Sequence, residues 1–287
     1  MQFTVLTLFP EITDAYFASS IMAKALEKGI IRYRSVNIRD FALDKHKTCD
    51  DAPYGGGPGM LMLAEPLSRA LESVGVSLSQ KFSRRDAKNA EKDSKFDINE
   101  RSSADSAPWR EENGDDVIPH VIYLTPSGRP FTQKRAQELA SLEELVLICG
   151  RYEGIDQRII DIYADEELSV GDYVLSSGET AALAVIDAVY RLVDKVITAQ
   201  SLDEESFGGG LLEYPQYTRP EIFATIKVPE ILLSGHHENI RKWRLKKRVE
   251  KTIAVRPELV EQGLRDGIFD AETVKLIEEG KKNDERN

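Results

Sequence analysis

The stretch 145–181, LVLICGRYEGIDQRIIDIYADEELSVGDYVLSSGETA, constrains the fold more than any other part of the chain. It holds two apolar runs, 145–149 and 173–175, which we expect to be buried strands. Glycine loops adjoin both runs, and glycine lets a backbone approach a ligand without a Cβ in the way. Ligands of open α/β sheets sit outside the carboxyl ends of the strands, so the pattern predicts a small-molecule pocket. Ordinary turns in an α/β domain would also explain these glycines, because one glycine-rich loop is weak evidence.

The rest of the first two thirds of the chain alternates between short apolar runs and helical patterns. Such alternation predicts an α/β fold with a parallel sheet. Three loops would then meet at one edge of that sheet, because the units 121–129, 145–154 and 168–178 each end a strand. We expect strands at 3–9, 30–41 and 120–124, and helices at 11–28, 65–75, 132–140 and 179–193.

Composition changes twice along the chain. Residues 76–118 are rich in Ser, Lys, Arg, Asp, Glu and Asn, which predicts a flexible insertion in a first domain that spans 1–197. Acids, serines and glycines then dominate 198–210, which we interpret as a mobile linker. A smaller helical domain should occupy 211–287, with a last helix that begins after Asp270 as its N-cap.

The formal net charge of −11 argues against a protein held to nucleic acid by bulk attraction. Phosphate contacts need only a local basic surface, however, and 236–251 concentrates seven Lys and Arg residues. A solvated helix face is the alternative interpretation. Two cysteines suggest no disulfide framework, and the amino-terminal residues lack the pattern of a signal peptide. No run is long enough to span a membrane, so we expect a cytoplasmic protein.

The loop 44–60, DKHKTCDDAPYGGGPGM, has no periodicity but contains His46, Asp50 and a run of three glycines. It is either a loop with a chemical role or a simple turn with a surface histidine.

Four motifs make the sequence similar to a known family. They are APYGGGPGM at 52–60, CGRYEGID at 149–156, GDYVLSSGE at 171–179 and YTRPE at 217–221. The chain resembles the bacterial tRNA (guanine-N1)-methyltransferase family, TrmD, of the SPOUT class, in motif order and over nearly everything except the insertion. The resemblance implies a trefoil-knotted α/β domain, although general folding rules would reject a knot. It also implies a homodimer, S-adenosylmethionine as donor, and methylation of guanine 37 in tRNAs with guanine at 36 and 37.

The resemblance also implies the site residues. Those expected to bind the donor are Pro126, Gly150, Tyr152, Glu153, Gly154, Val170, Gly171, Asp172, Tyr173, Val174, Leu175 and Gly178. Those expected to bind RNA are His46, Asp50, Ser206, Lys246 and Lys247. Magnesium is implied only as a helper near Glu153, because no cluster has the spacing of a dedicated metal site.

The reaction itself asks for two more groups. Guanine N1 carries a proton, so a carboxylate near N1 and a cation near O6 would both help the transfer. The matching positions are Glu205, as general base, and Arg191. The family has an aspartate where Glu205 stands, and the chain is one residue shorter before it, so Glu204 is an alternative base. Without the resemblance, 203–205 would be a solvated acidic loop.

Two further departures bear on the site. Ala52 stands where the family often has arginine, and Ser177 where it usually has glycine, so one RNA contact and the local backbone are in question. Two other functions stay open: a related enzyme that acts on ribosomal RNA, and a donor-binding protein that only binds RNA.

Overall fold

The computed structural model describes residues 1–77, 119–196 and 205–284. These residues form two compact units, one within 1–196 and one within the remainder. Nearly all of the predicted insertion, and 198–204 of the predicted linker, lie outside the described residues. Val76, the first residue of that insertion, is buried. Element labels below run in chain order over the described residues.

The first unit is built on a five-stranded sheet of β1 (Gln2–Thr7), β2 (Arg32–Asn37), β5 (His120–Pro130), β6 (Glu144–Cys149) and β7 (Glu166–Ser169). The strand order is β2-β1-β6-β5-β7, and all the pairs are parallel. Leu6 pairs with Ile148, and Leu124 with Cys149, so the carboxyl ends of the strands lie at one edge. This confirms the prediction of an α/β fold with a parallel sheet.

Helices cover both faces of the sheet. One core contains α1 (Pro10–Phe17), α2 (Ser20–Glu27), α4 (Gln133–Ala140) and α6 (Gly178–Tyr190). The other contains α3 (Ala64–Glu72), α5 (Gln157–Tyr163) and the 3₁₀ helix Ile38–Phe41. Strand β6 sends Leu145 and Leu147 into the first core and Val146 and Ile148 into the second, because successive side chains of a strand point to opposite faces. Burial on both faces explains why this run is continuously apolar.

A short antiparallel pair, β3 (Asp50–Asp51) with β4 (Leu61–Met62), brackets the glycine-rich loop. Segment β4 also forms a parallel bridge to the loop after β6, through Met62 and Ile155. The predicted loop 44–60 therefore contains β3, and its glycine-rich part, 52–60, is held at both ends by strands.

Three predictions of secondary structure were wrong. Residues 173–175 are not a strand, and Val174 is 85% exposed. The sheet is completed by β7 instead, and this run of three residues pairs with none of the described strands. The single helix over 11–28 is two helices, α1 and α2, with Ser20 in the left-handed region at φ 58°. The strand over 30–41 ends at Asn37, whose side chain accepts a hydrogen bond from Arg39 N and caps the 3₁₀ helix.

The second unit contains α7 (Glu230–Leu233), α8 (His237–Val255), α9 (Pro257–Arg265), α10 (Ala271–Asp284) and a small hairpin of β8 (Ile222–Phe223) with β9 (Ile226–Lys227). Its core gathers Leu211, Val249, Val260 and Ile277. Asp270 accepts a 2.8 Å hydrogen bond from Thr273 N, as predicted for the N-cap. No helix in the described parts of the chain is long and apolar enough to cross a membrane.

Candidate functional site

A pocket of about 370 Å³ opens at the carboxyl ends of β5, β6 and β7. Three segments enclose it. They are 125–127, where the pairing of β5 with β7 is interrupted, 150–154 after β6, and 170–177 after β7. We call this the strand-end pocket. The convergence of three strand-end loops was predicted from the order of the motifs, and the pocket confirms it.

Close packing beneath the pocket requires glycine at two positions. A Cβ added to Gly178 would lie 2.7 Å from the Cα of Cys149, so α6 can begin against the end of β6 only without a side chain. Gly178 N donates to Gly150 O at 2.9 Å and fixes this contact. A Cβ on Gly150 would meet the Tyr123 ring at 3.0 Å. The neighbouring Ser177 has φ −165° and ψ 158°, an extended conformation open to any residue, so serine there needs no shift of the loop.

Most residues expected to bind the donor line this pocket. They are Pro126, Gly150, Tyr152, Glu153, Gly154, Val170, Gly171, Tyr173, Val174, Leu175 and Gly178. Asp172 is exposed and is not part of the lining. Sequence reasoning did not name Tyr123 and Leu168, which lie on β5 and β7 and also line the pocket. Both fall within predicted units that end in a loop, 121–129 and 168–178, and that position was the signal available.

The glycine-rich loop adjoins the pocket. Glu153 N donates to Met60 O at 3.0 Å, and Met62 N donates to Gly154 O at 3.0 Å. A Cβ on Gly59 would lie 2.4 Å from Cγ of Glu153, so that side chain rests on bare backbone. The segment 59–62 and the loop 150–154 are therefore one connected surface.

The side chains of Tyr152 and Asp50 link the loop 150–154 to β3. Burial, and then a hydrogen bond to Asp50, raise the pKa of the Tyr152 hydroxyl. Tyr152 adopts φ 58°, which is costly for a large side chain and is maintained by its surroundings. His46 is exposed in the turn before β3, where Asp44 accepts hydrogen bonds from His46 N and Thr48 N. Hydrogen bonds from Thr48 hold the pKa of Asp44 below its usual value.

The two residues expected to act on guanine lie in different units. Arg191 caps the carboxyl end of α6 in the first unit and is half-buried. Glu205 is the first described residue of the second unit and is also half-buried. Ser206, next to it, accepts a hydrogen bond from Glu213 N at 3.1 Å.

The predicted basic surface lies on α8, where its cations are paired with acids of the second unit. Lys246 and Lys247 both face Glu250, at 3.8 and 2.7 Å, and Arg241 contacts Glu238 and Glu272. Exposed pairs of this kind contribute about 0–1 kcal/mol each. They can therefore exchange an intramolecular carboxylate for a stronger anion at small cost.

Within 1–77, 119–196 and 205–284, no group of three or more His, Cys, Asp or Glu side chains is arranged to hold a metal ion. Glu153, the residue expected near magnesium, is the one acidic residue among those that line the strand-end pocket.

A parallel α/β sheet with a pocket of glycine loops at its carboxyl edge is typical of the class of proteins that bind a small molecule at their strand ends. The profile of the family described as tRNA (Guanine-1)-methyltransferase TrmD matches residues 1–87 and 108–262. The chain belongs to this family, and it is a methyltransferase. The family predicted from the four motifs is thereby confirmed.

Individual relatives agree with the family assignment. The chain is 56% identical over 279 residues to a tRNA (guanine-N(1)-)-methyltransferase of Treponema denticola, covering 97% of this chain and 98% of the relative. It is 50% identical to the protein of that name from Treponema pallidum, covering 97% and 96%. A third relative of that name, from Borreliella burgdorferi, is 53% identical over 254 residues, covering 88% and 90%.

Proposed function

We propose that the protein transfers a methyl group from S-adenosylmethionine to N1 of guanine 37 in tRNA, next to the anticodon. Its family membership supports a methyltransferase acting on tRNA guanine. The single observation that carries the finer proposal is the strand-end pocket, in which the glycine motifs of the sequence converge.

The pocket fits the donor in size and chemistry. Its volume of about 370 Å³ lies within the range of small-molecule sites. Tyr173, Val174 and Leu175 are exposed apolar side chains at its wall, which a purine ring would cover. Gly150 and Gly171 carry no side chain and line the pocket, so in this proposal their backbone contacts the edge of that ring. When bound, S-adenosylmethionine supplies an electrophilic methyl group on its sulfonium.

The protein must also prepare guanine. In this proposal Glu205 accepts the N1 proton, which leaves the N1 lone pair free to attack, and Arg191 stabilises the negative charge that moves onto O6. Both side chains are half-buried, where charge interactions are stronger than in bulk water. Glu204 is the alternative base.

The RNA is held, we propose, by His46, Asp50, Ser206, Lys246 and Lys247. The acidic chain needs its basic residues grouped to hold RNA, and α8 groups them. We further propose the trefoil knot in the first unit, a homodimer in which each site takes residues from both subunits, a cytoplasmic location, and a helper magnesium ion near Glu153.

The test is incubation of the purified protein with methyl-labelled S-adenosylmethionine and tRNA transcripts that differ at 36 and 37. Label should enter only transcripts with guanine at both positions, and nuclease digestion should locate it as N1-methylguanine. Label in a transcript without guanine 37, or in ribosomal RNA only, would refute the proposal. Adding a chelator to the same assay tests magnesium, and light scattering tests the dimer.

A further inference from the structure

Two arginines share one aromatic ring at the carboxyl edge of the sheet. The Cζ of Arg151 lies 4.4 Å from the centroid of the Phe9 ring, and the Cζ of Arg39 lies 5.9 Å from it. Both distances are in the range of cation–π contacts. The three residues follow the ends of β6, β1 and β2, which are neighbours in the sheet. This trio therefore extends the edge that carries the strand-end pocket.

The ring that holds the arginines is itself fixed. Phe9 N donates to Thr7 Oγ1 at 2.9 Å, and Thr7 Oγ1 donates to Glu179 at 2.5 Å in the buried first turn of α6. Arg39 is oriented from its own side by Asn37, which accepts from Arg39 N at 3.0 Å. The main chain that carries Phe9 and Arg39 is thus fixed by the core and by the end of β2, and the Phe9 ring is the shared contact of the two guanidinium groups.

These positive charges lack a carboxylate partner in the described part of the chain. Neither Arg39 nor Arg151 forms an ion pair there, whereas Arg69, Arg135 and Arg158 all do. The acid of this cluster is Asp50: the Tyr152 hydroxyl hydrogen-bonds both Asp50 and Arg39, so Arg39 meets this carboxylate only through the hydroxyl. Two like charges held beside one ring repel each other unless an anion lies between them.

We propose that Arg39 and Arg151 jointly bind one phosphate group of the RNA substrate, on a nucleotide next to the target guanine. This inference rests on the proposed function. Guanidinium groups suit phosphate because they donate two hydrogen bonds in a fixed plane. Of the pair only Arg151 lines the strand-end pocket, so the anion lies at the rim. The carboxylate of S-adenosylmethionine has related chemistry, but inside the pocket it would meet Arg151 alone, because Arg39 is not part of the lining.

The experiment measures tRNA binding to the full chain at several salt concentrations. Its variants are Arg39→Gln, Arg151→Gln, the double variant and Phe9→Leu, with Arg32→Gln as control. Arg32 is an exposed arginine at the amino end of β2, so the control removes the same charge from the opposite edge of the sheet. Circular dichroism checks that every variant is folded.

Each single glutamine variant should weaken tRNA binding roughly tenfold, the effect of losing a hydrogen bond to a charged group. The double variant should reduce the slope of log affinity against log salt by about 0.7, the contribution of one phosphate on a single strand. Phe9→Leu should weaken tRNA binding although it removes no charge. Arg32→Gln should match the wild type.

A second arm measures the binding of S-adenosylmethionine and of 5′-methylthioadenosine, which lacks the amino-acid carboxylate. Arg39, which is outside the pocket lining, can be replaced by glutamine without changing the binding of either compound, whereas Arg151→Gln should change the affinity for both compounds by the same factor. Loss of S-adenosylmethionine binding alone would assign the pair to the donor carboxylate and overturn the inference. A double-variant slope change of about 1.4, meaning two separate phosphates, or unchanged tRNA affinity in the variants, would overturn it too. In the last case a wild type that still methylates tRNA keeps the proposed function, whereas a wild type that does not bind tRNA refutes both.

Discussion

Thr7 donates a hydrogen bond of 2.5 Å to Glu179 across 172 positions of the chain, with both side chains buried. The bond joins the end of β1 to the first turn of α6. Glu179 Oε2 has no hydrogen-bond partner within the ranges that the structure describes. In those ranges Thr7 therefore donates the one side-chain hydrogen bond that this carboxylate accepts. A buried carboxylate with so few partners makes this bond a sensitive point of the core.

Replacing Thr7 by valine keeps the shape of the side chain but removes the hydroxyl. We expect Thr7→Val to lower the free energy of unfolding by roughly 2–4 kcal/mol, because it removes the hydrogen-bond partner of both Glu179 Oε1 and the Phe9 N–H. Thr7→Ser keeps the hydroxyl and should cost less. Urea unfolding followed by circular dichroism gives both values, and equal stability of the two variants would contradict this account.

Gly178 controls the floor of the strand-end pocket. Gly178→Ala places a Cβ 2.7 Å from backbone of Cys149, which cannot move without shifting β6. We expect a loss of about 1–3 kcal/mol in stability and weaker donor binding. The matched control is Ser177→Ala, whose extended backbone accepts any side chain. Calorimetric titration with S-adenosylmethionine measures binding, and the prediction is wrong if the two variants bind equally well.

A cluster of His120, Arg135 and Glu166 ties β5, α4 and β7 together at the amino edge of the sheet. Burial alone would raise the pKa of Glu166, but hydrogen bonds from His120 and Arg135 outweigh it, and the pKa is lowered. A carboxyl group with a lowered pKa stabilises the fold above its unfolded value of about 4.3, and that stabilisation is lost as pH falls through the folded pKa.

Glu166→Gln should therefore be less stable than the wild type near pH 7, and the difference should shrink below about pH 4. Urea midpoints between pH 3 and pH 7 measure it. The control is Glu138→Gln, which removes an exposed partner of the same arginine. A difference for Glu166→Gln that is constant over this pH range would contradict the prediction.

Sequence patterns predicted the sheet because its inner strands are largely apolar on both faces, as 145–149 illustrates, whereas the edge strands β2 and β7 are more polar. The run 173–175 is equally apolar but forms part of the pocket wall. An apolar side chain suits a core or a ligand site equally well, and only the pairing of β7 with β5 shows which run is the strand. Helix α5 went unnamed, although Asp156 caps it, because seven residues give too few turns for a clear period. The cluster of Phe9 with two arginines joins three strand ends far apart in sequence, and no local pattern encodes it.

The basic face of α8 should contact RNA phosphates. Reversing Lys246 and Lys247 to glutamate should weaken tRNA binding at least tenfold and reduce its salt dependence, while S-adenosylmethionine binding stays unchanged. Filter binding at several salt concentrations measures both effects. Reversal of Lys24 and Lys28, exposed at the end of α2, changes the net charge equally and serves as control. If both double reversals weaken binding alike, net charge and not this face is responsible.

Proton removal by Glu205 is tested by substitutions that change basicity while keeping size. Glu205→Gln should reduce turnover by 10²-fold or more, the usual contribution of a general base, while donor and tRNA still bind. Glu205→Asp should keep much of the activity, because the carboxylate is retained. Arg191→Ala should also lose turnover, since the charge on O6 then lacks its cation.

Single-turnover methylation with labelled donor separates this chemical step from binding and product release. Glu204→Gln is the matched control, because it removes the adjacent carboxylate at the same cost in charge. If Glu205 is the base, Glu204→Gln should methylate at nearly the wild-type rate. A Glu205→Gln variant near the wild-type rate beside an inactive Glu204→Gln would move the base by one residue, and two active variants would remove this acidic segment from the mechanism.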